Sequence, residues 1–492
     1  MTVDVGRLRN GVWAPVVMLW ALVLAMPAVL HAQSSSNVLF LIVDDLRPEL
    51  PSYGRTHIHA PNIERLAEQG LVFHNAYVNA PVCGQSRESL FTGWRPFPMG
   101  FASIHSRTDT DTPAAIPLFG VLNAQGYRTY SLGKVGQSSH DMTGYWSDAP
   151  WHPSREGQVR QRLGNRDYQL PENVQAVEEG GLGPAFEAAD VSDDAYFNGQ
   201  IADQAVRTIE EQRGRQEPFF LAVGLPKPHL PFTAPTRYWD LYSAADILLP
   251  RVNQLPLNAP PEAWHEWGEL RYFDNIPPSP EPLPVALART VIHGYYASVS
   301  YTDALIGRIL RALEVNGFAG NTIVVLFGDH GWSLGEHGLW AKHSTFDVAT
   351  RTPLILKAPG MPAGHTRALV EFIDIYPTLM ELLELDVSTT LHGESFARLF
   401  SDPEAPGKAA VFTGWLNSEA IKTPDYAFTE WFNEQGEVSA RMLYDHRNDR
   451  DETVNLADEP EYRGRVEALH RELMQNLRER EVIRVASPPP TN

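Results

Sequence analysis

Residues 37–43 (NVLFLIV) form an apolar run in which polar and apolar side chains do not alternate. A strand with one face in solvent would show that alternation, because successive side chains point to opposite faces of a sheet. An uninterrupted apolar strand is typical of a parallel sheet that is covered by helices on both faces. The run therefore favours an α/β fold over an open antiparallel sheet.

Strand-like and helix-like segments alternate through the first 385 residues. Strands are predicted at 37–43, 71–78, 127–132, 219–224 and 322–327. Helices are predicted at 62–69, 117–125, 191–211, 285–315 and 374–385. This order predicts a large, mostly parallel sheet with helices on both faces, in a domain that spans 33–405. Segments 146–184 and 251–284 are rich in Gly, Pro and charge, and we expect long surface loops there.

The character of the chain changes after about residue 386. Shorter strands are predicted at 411–416, 426–432 and 439–444, and an amphipathic helix at 459–480. We therefore expect a small α+β C-terminal subdomain at 406–485. The last residues, 486–492 (ASPPPTN), have the composition of a disordered tail.

The N-terminus has the pattern of an export signal. Arg7 and Arg9 precede an apolar run at 12–30, and Ala32 closes a small-residue boundary. The run is also long enough for an uncleaved membrane anchor. Pro15 and Pro27 favour cleavage, so we predict a signal peptide at 1–32, no stable anchor, and a periplasmic or secreted protein.

The charge balance excludes some partners. Sixty acidic residues stand against forty Lys and Arg, which gives a formal net charge of −20. An acidic surface repels nucleic acid and anionic membranes. We therefore expect no nucleic-acid partner, although a locally basic pocket could still bind a small anion.

Reactive side chains follow four of the predicted strands. They are Asp44 and Asp45, Lys134, Lys227 and His229, and Asp329 and His330. Ligands of open α/β sheets bind outside the carboxyl ends of the strands. Each residue alone could cap a turn or lie in a loop, but together they predict one site at that edge.

The charged residues of this edge fall into two sets. Asp44, Asp45 and Asp329 would repel one another unless they share a cation, and an all-oxygen set suits Ca²⁺. His330 is an unusual Ca²⁺ ligand, which leaves the choice of metal open. The second set contains donors that suit a tetrahedral oxyanion such as sulfate or phosphate: Arg87, Lys134, His229 and Lys342.

Cys83 is the only cysteine of the chain, so it cannot form an internal disulfide. A lone thiol is unusual in an exported protein and has two interpretations, a small buried hydrophobe or a chemically active group. Residues 86–91 should open a helix directly after it, which would place an anion at a positive helix end. The nearby Arg87 favours the active role.

Four segments together resemble the type I sulfatases of the alkaline-phosphatase superfamily, and among them the iduronate-2-sulfatase-like enzymes. They are residues 37–54 (NVLFLIVDDLRPELPSYG), 80–96 (APVCGQSRESLFTGWRP), 223–232 (VGLPKPHLPF) and 328–355 (GDHGWSLGEHGLWAKHSTFDVATRTPLI). Weaker matches at 127–135 and 370–379 extend the resemblance over most of the chain. It implies an alkaline-phosphatase-like fold and a sulfuric ester hydrolase.

The resemblance also implies roles for individual residues. A maturation enzyme would oxidise Cys83 to formylglycine, whose hydrate would be the nucleophile, and Arg87 would stabilise that hydrate. Lys134 and Lys342 would bind sulfate oxygens, and His229 would be the general acid for the leaving sugar oxygen. One Ca²⁺ would be held by Asp44, Asp45, Cys83, Asp329 and His330.

Two positions depart from the family pattern. Gln85 stands where the cysteine motif usually has Pro or Ala, which bears on formylglycine formation. Gln137 stands where this branch has a histidine, and His140 is a candidate replacement. The expected substrate is a sulfated saccharide with a 2-O-sulfated uronate; another polysaccharide such as ulvan is an alternative.

Three other functions stay open at this stage. Residues 331–335 (GWSLG) match the G-x-S-x-G elbow of serine hydrolases, although Asp329 and His330 already occupy the strand end. A sugar-binding protein without turnover would result if Gln85 blocks maturation. A phosphatase or phosphodiesterase of the same superfamily would normally use Thr or Ser in place of Cys83.

Overall fold

The computed structural model describes residues 36–96, 107–112, 114–137, 142–153, 167–265, 268–279, 281–387 and 389–486. The predicted signal peptide at 1–32, the candidate residue His140 and the tail beyond residue 486 lie outside the described residues. The predictions made for them stay predictions.

Thirteen strands form three sheets in the described part of the chain. The strands are β1 (Asn37–Val43), β2 (Leu71–Tyr77), β3 (Arg128–Gly133), β4 (Phe186–Ala189), β5 (Phe219–Leu225), β6 (Phe232–Pro235), β7 (Thr322–Gly328), β8 (Leu354–Lys357), β9 (Gly364–Glu371), β10 (Val411–Trp415), β11 (Ser418–Lys422), β12 (Tyr426–Phe432) and β13 (Val438–Asp445). The central sheet has the order β3-β5-β1-β7-β8-β2-β9. All neighbours in it are parallel except β8, which is antiparallel to both β7 and β2. The predicted large, mostly parallel sheet is therefore confirmed.

The described helices cover that sheet and frame the loops around it. They are α1 (Pro61–Ala67), α2 (Cys83–Thr92), α3 (Thr108–Asp111), α4 (Leu118–Ala124), α5 (Pro171–Glu178), α6 (Phe197–Glu210), α7 (Thr236–Trp239), α8 (Val285–Val315), α9 (Asp347–Thr350), α10 (Ile375–Leu382) and α11 (Arg463–Ala486). Helix α8 has the bounds that the sequence predicts, and six others differ from the prediction by one to six residues at their ends. The shorter helices α3, α5, α7 and α9 were not predicted.

Strand β1 shows directly that the sheet is buried on both faces. Leu39, Leu41 and Val43 lie in one hydrophobic core with α1, α6 and α8. Val38, Phe40 and Ile42 lie in a second core with α2, α4 and α10. Every residue of the strand is buried, which explains the apolar run in the sequence.

The C-terminal subdomain is a four-stranded antiparallel sheet, β10-β11-β12-β13, with α11 packed against it. Ile421, Phe428 and Leu443 of the sheet lie in one hydrophobic cluster with Val466 and Leu469 of the helix. The predicted α+β character of this region is confirmed.

Five strands and several boundaries differ from the sequence-based prediction. Strands β4, β6 and β8 were not predicted because each is only four residues long, and β9 and β11 were not predicted because they carry charged side chains. The prediction of a helix from residue 191 was wrong at its start. The Phe197 N–H there donates to the Asp167 carboxylate, and α6 begins only at Phe197. The predicted loop at 146–184 also contains a helix, α5.

No helix among the described residues is both long enough and apolar enough to cross a lipid bilayer.

Candidate active site

The register of the central sheet brings four strand ends to one place. Val43 pairs with Leu225 of β5 and with Gly328 of β7, and Gly133 of β3 pairs with Gly224. The side chains that follow these ends therefore share the carboxyl edge of the sheet, as the sequence predicts. They are Asp44, Asp45, Lys134, His229, Asp329 and His330.

Cys83 lies at the centre of this group. It is the first residue of α2 and is 4% exposed. Its Sγ is 3.2 Å from His330 Nε2, 3.4 Å from Lys134 Nζ and 3.5 Å from Asp44 Oδ1. The prediction placed the helix start after the cysteine, at residue 86; the structure places Cys83 itself at the positive helix end.

Four side chains form a group that could hold a cation. One ligand atom from each of Asp44, Asp45, Cys83 and His330 lies within 4.8 Å of the other three. Asp45 Oδ2 is buried and has no hydrogen-bond partner among the described residues. His330 Nδ1 is 2.9 Å from the Gly331 carbonyl, which can only accept, so Nδ1–H donates there and Nε2 faces the group. These atoms fit a metal ion.

Asp329 borders this group and also anchors two neighbours. Its Oδ1 accepts the Asp45 N–H at 3.1 Å, and its Oδ2 accepts Arg87 Nε at 2.8 Å. Oδ2 is also 3.6 Å from His330 Nε2. Asp329 therefore lies close enough to the candidate cation position to be a ligand, and it also joins the end of β7 to Arg87 through a hydrogen bond.

Three cations are packed against the carboxylates. Arg87 NH2 is 3.5 Å from Asp44 Oδ1, Lys134 forms a close ion pair with Asp44, and Lys342 Nζ is 3.0 Å from Asp45 Oδ1. All three side chains are buried or nearly so. Because a buried ion needs a partner, these pairs fix the donors around the position of residue 83.

The electrostatic surroundings of the two neighbouring aspartates differ. Burial raises the pKa of Asp44, but Lys134, His229 and Arg87 outweigh it and hold that pKa well below its usual range. Burial raises the pKa of Asp45, and Lys342 offsets this only in part. A further positive charge would therefore be favourable beside Asp45.

The thiol of Cys83 is a poor nucleophile in these surroundings. Burial and the nearby Asp44 carboxylate raise its pKa to about 11. At neutral pH the sulfur keeps its proton, and the thiolate is the reactive form of cysteine.

His229 faces the site from the loop after β5. Its Nδ1 is 2.7 Å from the Leu230 carbonyl, and its Nε2 is 3.6 Å from Glu269 Oε1. Burial lowers the pKa of His229, but Asp45 and Asp44 raise it, and the net direction is upward. The same Glu269 oxygen is 3.1 Å from Lys342 Nζ.

Glu269 was not predicted from the sequence. It lies in the Pro- and charge-rich segment 251–284, which has no periodicity that could mark a functional position. Lys227, in contrast, was grouped with the site but has a backbone role. Its Nζ donates to the carbonyls of His229 and Pro231 and so holds the loop that carries His229.

The two departures from the family pattern lie close to the site. Gln85 is buried within α2, two residues after Cys83. Gln137 follows β3 and is partly buried, and its side-chain oxygen has no hydrogen-bond partner among the described residues.

The serine-hydrolase hypothesis is not supported. Ser333 is fully buried, and no described residue hydrogen-bonds to its hydroxyl. Strand β7 ends at Gly328, and Ser333 lies in the loop beyond it rather than at a strand-to-helix turn.

Comparison with known proteins agrees with this geometry. The sulfatase family model matches residues 36–385. The chain belongs to the sulfatase family. A second model, the C-terminal region of N-sulphoglucosamine sulphohydrolase, matches residues 335–480. The predicted family is confirmed, and with it the reaction class of a sulfuric ester hydrolase.

Two relatives are similar to this sulfatase in sequence, and one solved structure is similar to it in fold. It is 37% identical over 396 residues to iduronate 2-sulfatase of Mus musculus, covering 72% of this chain and 70% of the relative. It is 38% identical over 365 residues to the Homo sapiens enzyme of that name, covering 71% of this chain and 64% of the relative. A phosphonate monoester hydrolase of Agrobacterium radiobacter superposes with a TM-score of 0.72 at 21% identity, covering 90% of this chain and 95% of that chain. That last likeness shows the fold alone.

Proposed function

We propose that this sulfatase hydrolyses sulfate esters of a sulfated saccharide, with a 2-O-sulfated uronate as the expected substrate. The observation that carries the proposal is the convergence of Asp44, Asp45, Cys83 and His330 on one position, surrounded by buried cations. The iduronate 2-sulfatases at 37–38% identity support the choice of a uronate sulfate. Other sulfated polysaccharides, ulvan among them, are the alternative substrates.

The nucleophile is proposed to be formylglycine made from Cys83. The raised pKa of the thiol supports this, because an unmodified cysteine there would stay protonated and inert. Oxidation of the thiol to an aldehyde removes the sulfur and needs an oxidant, which the maturation enzyme must supply. Cys83, Gln85 and Arg87 are all buried, so that enzyme must act before α2 packs against the sheet.

The proposed metal is one Ca²⁺, held by Asp44, Asp45, Asp329, His330 and residue 83. When bound, it would polarise the sulfate ester and orient the nucleophile. The buried, unpaired Oδ2 of Asp45 supports a cation at this position. The oxygen-rich ligand set supports Ca²⁺ over softer metals.

The remaining site residues are proposed to act on the sulfate and on the leaving group. Arg87 stabilises the modified residue 83, and Lys134 and Lys342 bind sulfate oxygens, because their positive charges face the centre of the site. His229 is proposed to donate the proton to the leaving sugar oxygen. Export to the periplasm or the medium, where sulfated polysaccharides occur, completes the proposal.

The first test is chemical. Mass spectrometry of the peptide that contains residue 83, from enzyme made in a host with a maturation system, should show the aldehyde-containing residue in place of cysteine. An active enzyme whose Cys83 is wholly unmodified would contradict the assignment of the nucleophile.

The second test uses two substrates, a nitrophenyl sulfate and a 2-O-sulfated uronate disaccharide. Lys134→Ala and Lys342→Ala should slow both, because every sulfate ester needs those charges. His229→Ala should slow the disaccharide on the order of 10²–10⁴-fold and the aryl ester much less, because a nitrophenolate leaves without protonation. Equal losses for His229→Ala would show that His229 binds sulfate and is not the acid.

A further inference from the structure

Glu269 bridges two of the proposed site residues, Lys342 and His229, and is not among the proposed Ca²⁺ ligands. Its Oε1 is 3.1 Å from Lys342 Nζ and 3.6 Å from His229 Nε2. It stands directly before the short 3-10 helix Leu270–Tyr272, so its backbone is fixed by local structure. The side chain is about one-fifth exposed, at 22%.

The two ring nitrogens of His229 face different acceptors. Nδ1 donates to the Leu230 carbonyl at 2.7 Å, and Nε2 points toward the Glu269 carboxylate. A hydrogen bond therefore holds the ring at Nδ1, and the carboxylate charge attracts it at Nε2. At 3.6 Å the contact with Glu269 is an ion-pair distance and longer than a hydrogen bond, which leaves the Nε2 proton available to a substrate oxygen.

We propose that Glu269 is a positioning residue that aims Nε2 of His229 at the leaving oxygen of the substrate. The inference rests on the proposed role of His229 as the acid. A hydroxyl oxygen of the proposed nucleophile at residue 83 forms a bond to sulfur as the bond between sulfur and the ester oxygen breaks, so the sulfuryl group passes to residue 83. The Nε2 proton passes to the ester oxygen, and the sugar leaves as a neutral alcohol. The imidazole that remains keeps its Nδ1 hydrogen bond to Leu230 and regains a proton from water.

The contacts of Lys342 and Lys227 show that neither depends on Glu269 alone, which distinguishes a positioning role of Glu269 from a general structural one. Lys342 has a second carboxylate partner, Asp45, at 3.0 Å, so it stays paired when Glu269 is neutralised. The loop that carries His229 is held by Lys227, not by Glu269. Among the described residues, Glu269 is the only carboxylate within ion-pair distance of His229. The loss of its charge should therefore affect His229 first.

The test is a double-mutant cycle on the two sulfate esters, with Glu269→Gln, His229→Ala and the two changes combined. Glu269→Gln should lower kcat on the disaccharide by about tenfold to a hundredfold, the usual effect of removing a partner that orients an active-site group. Its effect on nitrophenyl sulfate should be at least tenfold smaller. The combined variant should be no slower than His229→Ala alone, because Glu269 acts through His229. Glu262→Gln, an exposed glutamate of the same loop, is the matched control and should match the parent enzyme.

Two results would overturn the proposal. Equal losses on both substrates for Glu269→Gln would mean that Glu269 acts through Lys342, and losses that multiply in the combined variant would mean that it acts independently of His229. Melting temperatures check folding, and if Glu269→Gln does not fold, Glu269→Asp is measured instead, with the same substrate bias expected. Failure of the underlying acid assignment is distinct, since His229→Ala itself would then slow both esters equally.

Discussion

Calcium and inorganic sulfate should bind this protein cooperatively, and the charges of the site give the reason. The carboxylates Asp44, Asp45 and Asp329 are balanced by Arg87, Lys134 and Lys342, which are paired with them or lie beside them. The buried site is therefore close to neutral before any ion binds. A calcium ion would add two positive charges to it, and a sulfate dianion would restore neutrality.

The upper bound of the coupling follows from the charges of the two ions. Opposite unit charges about 5 Å apart attract by about 3 kcal/mol at an effective dielectric constant of about 20, and two doubly charged ions attract about four times as strongly, by about 13 kcal/mol. Ion release and rearrangement of the existing pairs reduce this, and couplings between sites are typically about 1–3 kcal/mol. A coupling of about 1.4 kcal/mol would lower the Kd for calcium about tenfold in saturating sulfate.

The assay is titration calorimetry of calcium into metal-stripped protein. It is run in sulfate and in chloride at equal ionic strength, with free calcium corrected for ion pairing in solution. Lys342→Met is the informative variant: the site then carries an excess negative charge, so calcium should bind more tightly without sulfate, and sulfate should help less. The reverse titration must give the same factor, because linkage is reciprocal. If sulfate binds and the Kd for calcium does not change, the charge-balance reasoning is refuted.

Three further outcomes are expected. Cys83→Ala should abolish sulfatase activity while the melting temperature and circular dichroism stay near those of the parent; substantial remaining turnover would exclude residue 83 as the nucleophile. Burial raises the pKa of Glu49, but Arg47 outweighs it and brings the pKa down to about 2, so Glu49 stabilises the fold above its usual pKa of 4.5 and loses that effect as the pH falls through about 2. In urea unfolding, the parent should lose about 2 of the roughly 3 kcal/mol that this group contributes to its free energy of unfolding as the pH falls from 7 to 3. Glu49→Gln should lack this loss. Parallel pH profiles of the two proteins would contradict the prediction. Asp303 accepts hydrogen bonds from two backbone N–H groups at the start of α1, so Asp303→Ala should cost about 2–3 kcal/mol of unfolding free energy whereas the exposed Asp240→Ala should cost almost none.

The strands that could be predicted are those whose side chains are selected by hydrophobic burial alone. Strand β1 is apolar because both of its faces lie in hydrophobic cores. Strand β11 could not be predicted from its local sequence, because it carries the charged residues Glu419 and Lys422 into buried positions. Arg480 pairs with Glu419 at 3.1 Å, and Thr350 accepts a hydrogen bond from Lys422 at 2.7 Å. These partners are distant in sequence, so a local pattern contains no sign of them.

The contrast between local patterns and partners distant in sequence also applies to the site. It separates the site residues that the sequence predicted from Glu269, which it did not predict. Asp44, Lys134 and Asp329 follow strands, and the hydrogen bonds of the sheet fix where strand ends lie relative to one another. A strand assignment therefore predicts their convergence with no knowledge of side-chain contacts. Lys342 and Glu269 come from loops, whose positions depend on long-range pairs that the sequence does not display. Lys342 was grouped with the anion donors by its charge and lies in the motif at 328–355. Glu269 has no such motif, so its position beside His229 could be found only from the folded chain.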